Sequence, residues 1–441
     1  MSNKNYVPLN EFILLQRGFD LPQGERIYGD VPVVASTGIA GFHNEYKVGA
    51  PGVVIGRSGT IGGGQYITQN FWPLNTTLWV KDFKGHNARY VYYLLKSIDF
   101  QRFNVGTGVP TLNRNHLSSV LVKNLEYKNE KVIAKILGDL DDKIYLNNQI
   151  NQTLESIAQA IFKSWFIDFE PVRAKIAAKQ EGEDPELAAM CAISGKSEAE
   201  LKQMPEDDLA ELQATAALFP EELVESELGE VPKGWEVGCV GDIATAKGGY
   251  AFKGSQFVEK GYPVIKIKNI TGDGKVDIQG TQCIEEKIAR TAAKFMLHDC
   301  DLVMAMTGAT VGKTGLVNTH GKSIYLNQRV AKFESEKFGG KISYFLFCLF
   351  NRKEYFEQIV GTAQGSAQPN ISSSGIESTS IIVPNFELIN LFIKNTDSIF
   401  QYWLKNGSTS NFLNQIRDTL LPKLLSGEIN VSNFQGEVAI G

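Results

Sequence analysis

The sequence predicts a mixed α/β fold: two similar globular domains joined by two long antiparallel coiled-coil helices, with a pseudo-twofold relation between the halves. Three observations carry this. One ordered set of segments is written twice. Each copy is followed by a long helical stripe. The short β-branched strands sit between Gly/Asn/Thr-rich loops, without the regular strand–helix alternation of a doubly wound sheet. At 441 residues the chain also exceeds one ordinary core. The expected division is a first globular domain at 1–126, a first long helix at 127–170 and an acidic linker or helical insertion at 171–232. A second globular domain at 233–385, a second long helix at 386–429 and a tail at 430–441 complete it.

The repeat is read from four matches in the same order. "VPVVASTGI" (31–39) parallels "YPVIKIKNI" (262–270), and "RSGTIGGG" (57–64) parallels "MTGATVGK" (306–313). "YVYYLLKS" (90–97) matches "ISYFLFCL" (342–349), each read as a helix buried on most of its faces. "GTGVPTLNRNHLSSVLV" (106–122) matches "GTAQGSAQPNISSSGIESTSIIV" (361–383): a Gly-Thr, a polar loop with one proline, then a β-branched run.

Between and after the copies the period changes to that of a helix. In the first long stretch Ile133, Ile136, Leu140, Asn147, Ile150, Leu154, Ile157 and Ile161 follow a three–four alternation, interrupted by Lys143, and Leu137, Ile144 and Trp165 widen the stripe. The polar Asn147 at such a position often fixes register. In the second stretch Ile399, Tyr402, Asn406, Thr409, Leu413, Ile416 and Leu420 keep the spacing. Asn406-Gly407 is expected to loosen the middle, and Pro422 to bend the end. Forty helical residues extend roughly 60 Å, and neither stripe can bury itself alone, so the helices are expected to pair.

The net charge of −5 conceals a division. Residues 170–236 hold 17 acids and 6 bases, whereas 1–126 hold 12 bases and 8 acids, and 237–385 hold 17 bases and 13 acids. Two mildly basic blocks flank one acidic segment, for which short helices and mobile linkers are expected. Five cysteines without a Cys-x-x-Cys pair and five ungrouped histidines argue against a disulfide framework and against a metal site. No apolar run spans a bilayer and the start lacks the plan of a signal peptide, so a cytoplasmic protein without membrane association is expected.

"TGATVGKTG" (307–315) imitates a phosphate-binding loop but has three residues, not four, between Gly308 and Gly312, and strand and turn residues follow it. Asp277, Glu285 and Lys287 imitate an acid–acid–lysine nuclease set. An enzyme that hydrolyses nucleotides or cuts nucleic acid through Lys313 or through that trio is the alternative reading. No catalytic residue and no cofactor is assigned to this chain. Hydrogen-bonding side chains instead crowd the glycine-punctuated turns of both copies: Ser36, Thr37, Arg57, Ser58, Thr60, Gln65, Thr107, Asn113 and Arg114 in the first. In the second they are Lys266, Lys268, Asn269, Thr307, Thr310, Lys313, Asn327, Gln328, Arg329, Gln364, Ser366 and Gln368. Arg, Lys, Asn and Gln suit base edges, and Ser and Thr suit phosphates, so these are the candidate DNA contacts.

"KILGDLDDKIYLNNQINQTLESIAQAIFKSWFIDFEPVRAK", "ELGEVPKGWEV" and "RDTLLPKLLSGEI" resemble the helical regions and junctions of the DNA-specificity subunit of Type I restriction–modification systems, and the resemblance covers essentially the whole chain. It implies a DNA-binding subunit without a catalytic centre. Its two target-recognition domains would each read half of a split double-stranded target, with half-site centres about 34 Å apart. It also implies two methyltransferase (modification) subunits that carry S-adenosylmethionine, and motor–nuclease (restriction) subunits that use ATP and Mg.

Overall fold

The computed structural model describes residues 6–272, 274–362 and 369–432. The chain divides into two compact units, residues 1–146 with 410–441, and residues 147–409.

The first unit opens with β1 (Tyr6–Pro8), α1 (Leu9–Phe12), β2 (Leu14–Arg17), β3 (Val31–Ala35), β4 (Gly38–His43), β5 (Gly52–Gly56), β6 (Gly62–Ile67), β7 (Trp72–Pro73) and β8 (Thr77–Asp82). Then come α2 (Ala88–Ser97), α3 (Arg114–Leu117), β9 (Leu121–Lys123) and the start of α4 (Tyr127–Phe166). The strands form an antiparallel sheet β2-β8-β5-β6, a small sheet β4-β3-β7 and the pair β1-β9. Asn87 starts α2 by accepting the Tyr90 N–H at 3.0 Å. The helix then buries Tyr90, Val91, Tyr93, Leu94 and Leu95. Val132, Ile133, Ala134 and Leu137 of α4 join that core, with Leu424, Leu425 and Val431 from the far end of the chain.

The second unit continues α4 and adds α5 (Glu170–Glu181), α6 (Pro185–Ser194), α7 (Glu198–Leu201), α8 (Glu206–Ala217) and the hairpin β10 (Leu223–Ser226) and β11 (Gly229–Pro232). Next are β12 (Glu236–Cys239), β13 (Thr245–Gly248), β14 (Phe257–Val258), β15 (Tyr262–Ile265), β16 (Gly274–Lys275), β17 (Gln282–Ile284), α9 (Glu286–Thr291), β18 (Met296–Leu297) and β19 (Leu302–Ala305). β20 (Thr314–Leu316), β21 (Ile324–Leu326), β22 (Val330–Glu334), α10 (Ile342–Phe350), α11 (Lys353–Gly361), α12 (Ser373–Glu377), β23 (Ser380–Val383) and α13 (Phe386–Ser426) follow. α13 passes into the first unit at residue 410.

Strand pairing repeats between the units. β13-β22-β19-β20 follows the order of β2-β8-β5-β6, β17-β15-β21 follows β4-β3-β7, and β12-β23 follows β1-β9. Even the parallel pairs correspond: Val33 and Val34 face Trp72 and Pro73, while Val264 and Ile265 face Tyr325 and Leu326. Gly18 and Gly249 hold equivalent places. A Cβ on either would lie 2.2 Å from a carbonyl oxygen, of Leu74 or of Leu326.

In the second unit α10 is buried at every residue, as its unbroken apolar sequence requires. Around it lies an aromatic cluster. Phe162 of α4 stands 5.1 Å from Phe345 and 5.7 Å from Phe392, centroid to centroid, both edge-on. α4 and α13 run antiparallel here. The Asn151 amide donates to the Trp403 carbonyl at 3.0 Å and the Asn406 amide to Asn151 Oδ1 at 3.2 Å, both side chains buried. In the first unit Arg417 pairs with Asp141 at 2.7 Å, and the Tyr93 hydroxyl also donates to Asp141, at 2.7 Å.

The structure corrects the sequence reading at two points. The apolar period of the long helices is present, but around Ile157 and Ile161 the buried row lies one position further along: Ala158 and Phe162 are buried, whereas Ile157 is 43% exposed. On α13, Phe400 and Trp403 are buried and Tyr402 is 47% exposed. Ile133 and Asn147 are buried; Ile136, Leu140, Ile150, Leu154, Ile161, Ile399, Leu413, Ile416 and Leu420 are partly buried. Second, Asn406-Gly407 does not loosen α13, which is one helix with Pro422 inside it. Gly407 instead leaves room for the Asn318 amide, 3.0 Å from where a Cβ would stand, and that amide donates to the Leu404 carbonyl at 2.8 Å. The acidic segment carries the expected short helices, α5 to α8. Lys175 of α5 is buried, donating to Glu186 at 2.5 Å and to the Phe219 carbonyl at 2.9 Å.

Candidate nucleic-acid interface

Both units carry one loop arrangement at the ends of their strands. In the first, the turn after β5 is clamped to the return loop before α3. The Gly59 N–H donates to Pro110 O at 2.9 Å, the Leu112 N–H to Arg57 O at 2.8 Å, and Ser58 bridges Thr111. In the second, the Gly308 N–H donates to Pro369 O at 3.2 Å, the Ile371 N–H to Met306 O at 2.8 Å, and Thr307 bridges Asn370. Gly59 and Gly308 take φ of 83° and 80°, the left-handed region that favours glycine. The β3–β4 turn packs beside the clamp, with Ser36 Oγ 3.8 Å from a Cβ on Gly59; Ile267 occupies the corresponding place beside Gly308. These correspondences reproduce the register of the sequence repeat residue by residue.

The candidate contacts divide into exposed and committed side chains. Thr37, Thr60, Thr107, Asn113 and Arg114 are exposed, and Ser36, Arg57 and Ser58 partly so. Asn113 Oδ1 also accepts the Asn115 N–H at 3.0 Å. Gln65 faces the scaffold, its amide donating to Ala35 O at 3.0 Å. In the second unit Lys268, Gln328 and Arg329 are exposed. The Lys266 ammonium lies 3.3 Å over the Phe257 ring and donates to Gln282 at 2.6 Å. Asn269 and Asn327 are buried and accept the N–H groups of Lys266 and Arg329, so their side chains shape turns rather than face a ligand. Thr307 is buried, and Thr310 Oγ1 donates to Ile267 O at 3.3 Å. Gln364, Ser366 and Gln368 lie outside the described residues.

The enzyme alternative gains no support. After Gly308–Thr310, a single 3-10 turn, Lys313 leads directly into strand β20, not into the helix that follows a phosphate-binding loop. Asp277 Oδ1 accepts the Gln279 N–H at 2.9 Å, and Glu285 occupies the N-cap position of α9, in which Lys287 lies.

The two faces share one electrostatic feature. Burial, then the charge of Arg17, lowers the pKa of the Arg57 guanidinium. Burial, then Lys268, lowers that of the Lys266 ammonium. Like charges are thus held together at both loop clusters. Arg17 escapes the sequence reading because β2 lies forty residues upstream of the turn it faces. The signal that finds it is a fifth match of the repeat, "QRGF" (16–19) with "KGGY" (247–250).

A duplicated scaffold presenting two cationic, clamped loop clusters defines a two-domain recognition protein. The chain belongs to the family described as the Type I restriction modification DNA specificity domain, whose model matches residues 1–156 and 232–398. It is 35% identical over 334 residues to the Type I restriction enzyme HindI specificity subunit of Haemophilus influenzae, covering 73% of this chain and 71% of that protein. It is 25% identical over 356 residues to the MjaIX specificity subunit of Methanocaldococcus jannaschii, covering 79% and 71%. The crystal structure of a Type I restriction–modification S subunit from M. genitalium shares the fold, with a TM-score of 0.56 at 14% identity over 96% of this chain and 97% of that one.

Proposed function

We propose that each domain reads one half of a bipartite double-stranded DNA target. The chain would itself be non-catalytic and would assemble with two methyltransferase subunits that bind S-adenosylmethionine, and with motor–nuclease subunits that use ATP and Mg, in the cytoplasm. The observation that supports this best is the repeated clamp. One backbone arrangement occurs in both domains, yet it displays different side chains, as two independent readers on one scaffold require. The long helices suit the assembly role, being two helices of 40 and 41 residues whose exposed faces retain Ile157 and Tyr402. The test is to exchange residues 1–126 for the first domain of another specificity subunit and sequence the methylome of a strain that carries the hybrid. One half of the methylated sequence should change while the other half stays. A change in both halves would refute independent reading.

A further inference from the structure

The repeat register allows the cations of the two faces to be compared position by position. In the first domain Arg17, Arg57 and Arg114 line one cleft together with Val105, Thr111 and Asn113. Arg57 is oriented by donating to the Asn75 carbonyl at 3.2 Å, while the Asn75 amide engages Asp20. Among the described residues none of the three arginines forms an ion pair; those of the other arginines lie elsewhere. The pairing register places Arg17 opposite Leu78, and Gly248 opposite Ala331, so Gly248 holds the place of Arg17 in the second domain. By the clamp, Met306 holds the place of Arg57, and the residues after the return loop put Ser373 where Arg114 stands. All three charges are absent there. The second domain instead carries Lys266, Lys268 and Arg329, at the places of Ala35, Thr37 and Thr76.

Three arginines lining one cleft, with no carboxylate among its lining residues, suit an anion; a neutral base edge would occupy only one of them. We propose that the Arg17–Arg57–Arg114 cleft is a phosphate anchor that grips one phosphodiester of the DNA strand on the first half-site, and that the second domain lacks this anchor. The proposal rests on the DNA-reading function and deepens it. The two domains hold DNA by non-equivalent points of one scaffold, so their footprints on the backbone differ.

The test uses the full chain in complex with its methyltransferase subunits and a fluorescent duplex bearing the target, with affinity measured from 50 to 200 mM salt. Arg57→Met should flatten the slope of log K against log salt by about 0.9, one phosphate's worth, which narrows the affinity loss over that range roughly 3.5-fold. Arg17→Gln, at an exposed position, should act in the same direction. Adding it to Arg57→Met should change little further, because the groups share one anion. Arg57→Lys should keep the slope, and so should Ser373→Ala at the equivalent place in the second domain. Preference among single-base variants of either half-site should stay as in the wild type. A single neutral methylphosphonate, scanned along the first half-site, should weaken the wild type at one position where Arg57→Met shows no further loss. An unchanged slope with lost discrimination at one base pair would overturn the anchor while leaving DNA reading intact. A wild-type complex with no sequence preference would instead overturn the functional reading itself.

Discussion

Replacing Phe162 by Ala, compared with replacing Ile157 by Ala, separates two phases of the same helix. Both residues lie on α4, and sequence periodicity favours Ile157. Phe162 is fully buried, with the rings of Phe345, Phe166 and Phe392 at 5.1, 5.3 and 5.7 Å. Truncation of a buried phenylalanine costs about 3–5 kcal/mol. The upper part of that range is expected here, because three rings belonging to α4, α10 and α13 wall the cavity and cannot all close on it. Ile157, at 43% exposure, should cost at most about 1 kcal/mol. Amide hydrogen exchange on residues 342–350 of the intact chain reads the difference locally. Phe162→Ala should accelerate exchange in α10 by about two to three and a half orders of magnitude, and Ile157→Ala by less than about one. Equal acceleration by both variants would refute the assignment of the buried row.

Asn406→Ala removes the donor to a buried Asn151 oxygen and should destabilise the second unit by about 1–3 kcal/mol in chemical denaturation; replacing both asparagines by Leu should recover most of this. Glu334 accepts from Lys247 at 2.7 Å, which, against burial and with help from Lys332, holds its carboxyl below the ordinary value. A depressed folded pKa means that the stabilisation is present above the unfolded value of about 4.3 and is lost as pH falls through the lower folded value. Glu334→Gln should therefore shrink the difference between melting temperatures at pH 6 and pH 3, with little effect on the pH 3 value.

Much of this architecture was legible in the chain. "RSGTIGGG" and "MTGATVGK" fall on equivalent clamps because both need a strand end, a left-handed glycine and a return loop with one proline, and those demands restrict residue types. The phase of the long helices was not legible. Ile157 beside Ala158, and Ile161 beside Phe162, form two adjacent apolar rows, and periodicity gives the spacing without choosing between them. The choice is made by tertiary contacts with α10. Asn269 and Asn327 show a similar limit. Turn-forming asparagines and ligand-facing asparagines occupy the same kinds of loop, and only burial separates them. Arg17 was hidden for a third reason: a strand pairing, not a local pattern, carries it to Arg57.

The clamp between the strand-end turn and the return loop is made of main-chain atoms in both domains. Different side chains can therefore sit beside the same main-chain hydrogen bonds. Arg57 can stand where the other copy has Met306, and Thr111 where it has Asn370, under the same hydrogen bonds. Substitution at these positions leaves the clamp's main-chain donors and acceptors in place. One main-chain clamp thus serves two different surfaces in the same molecule.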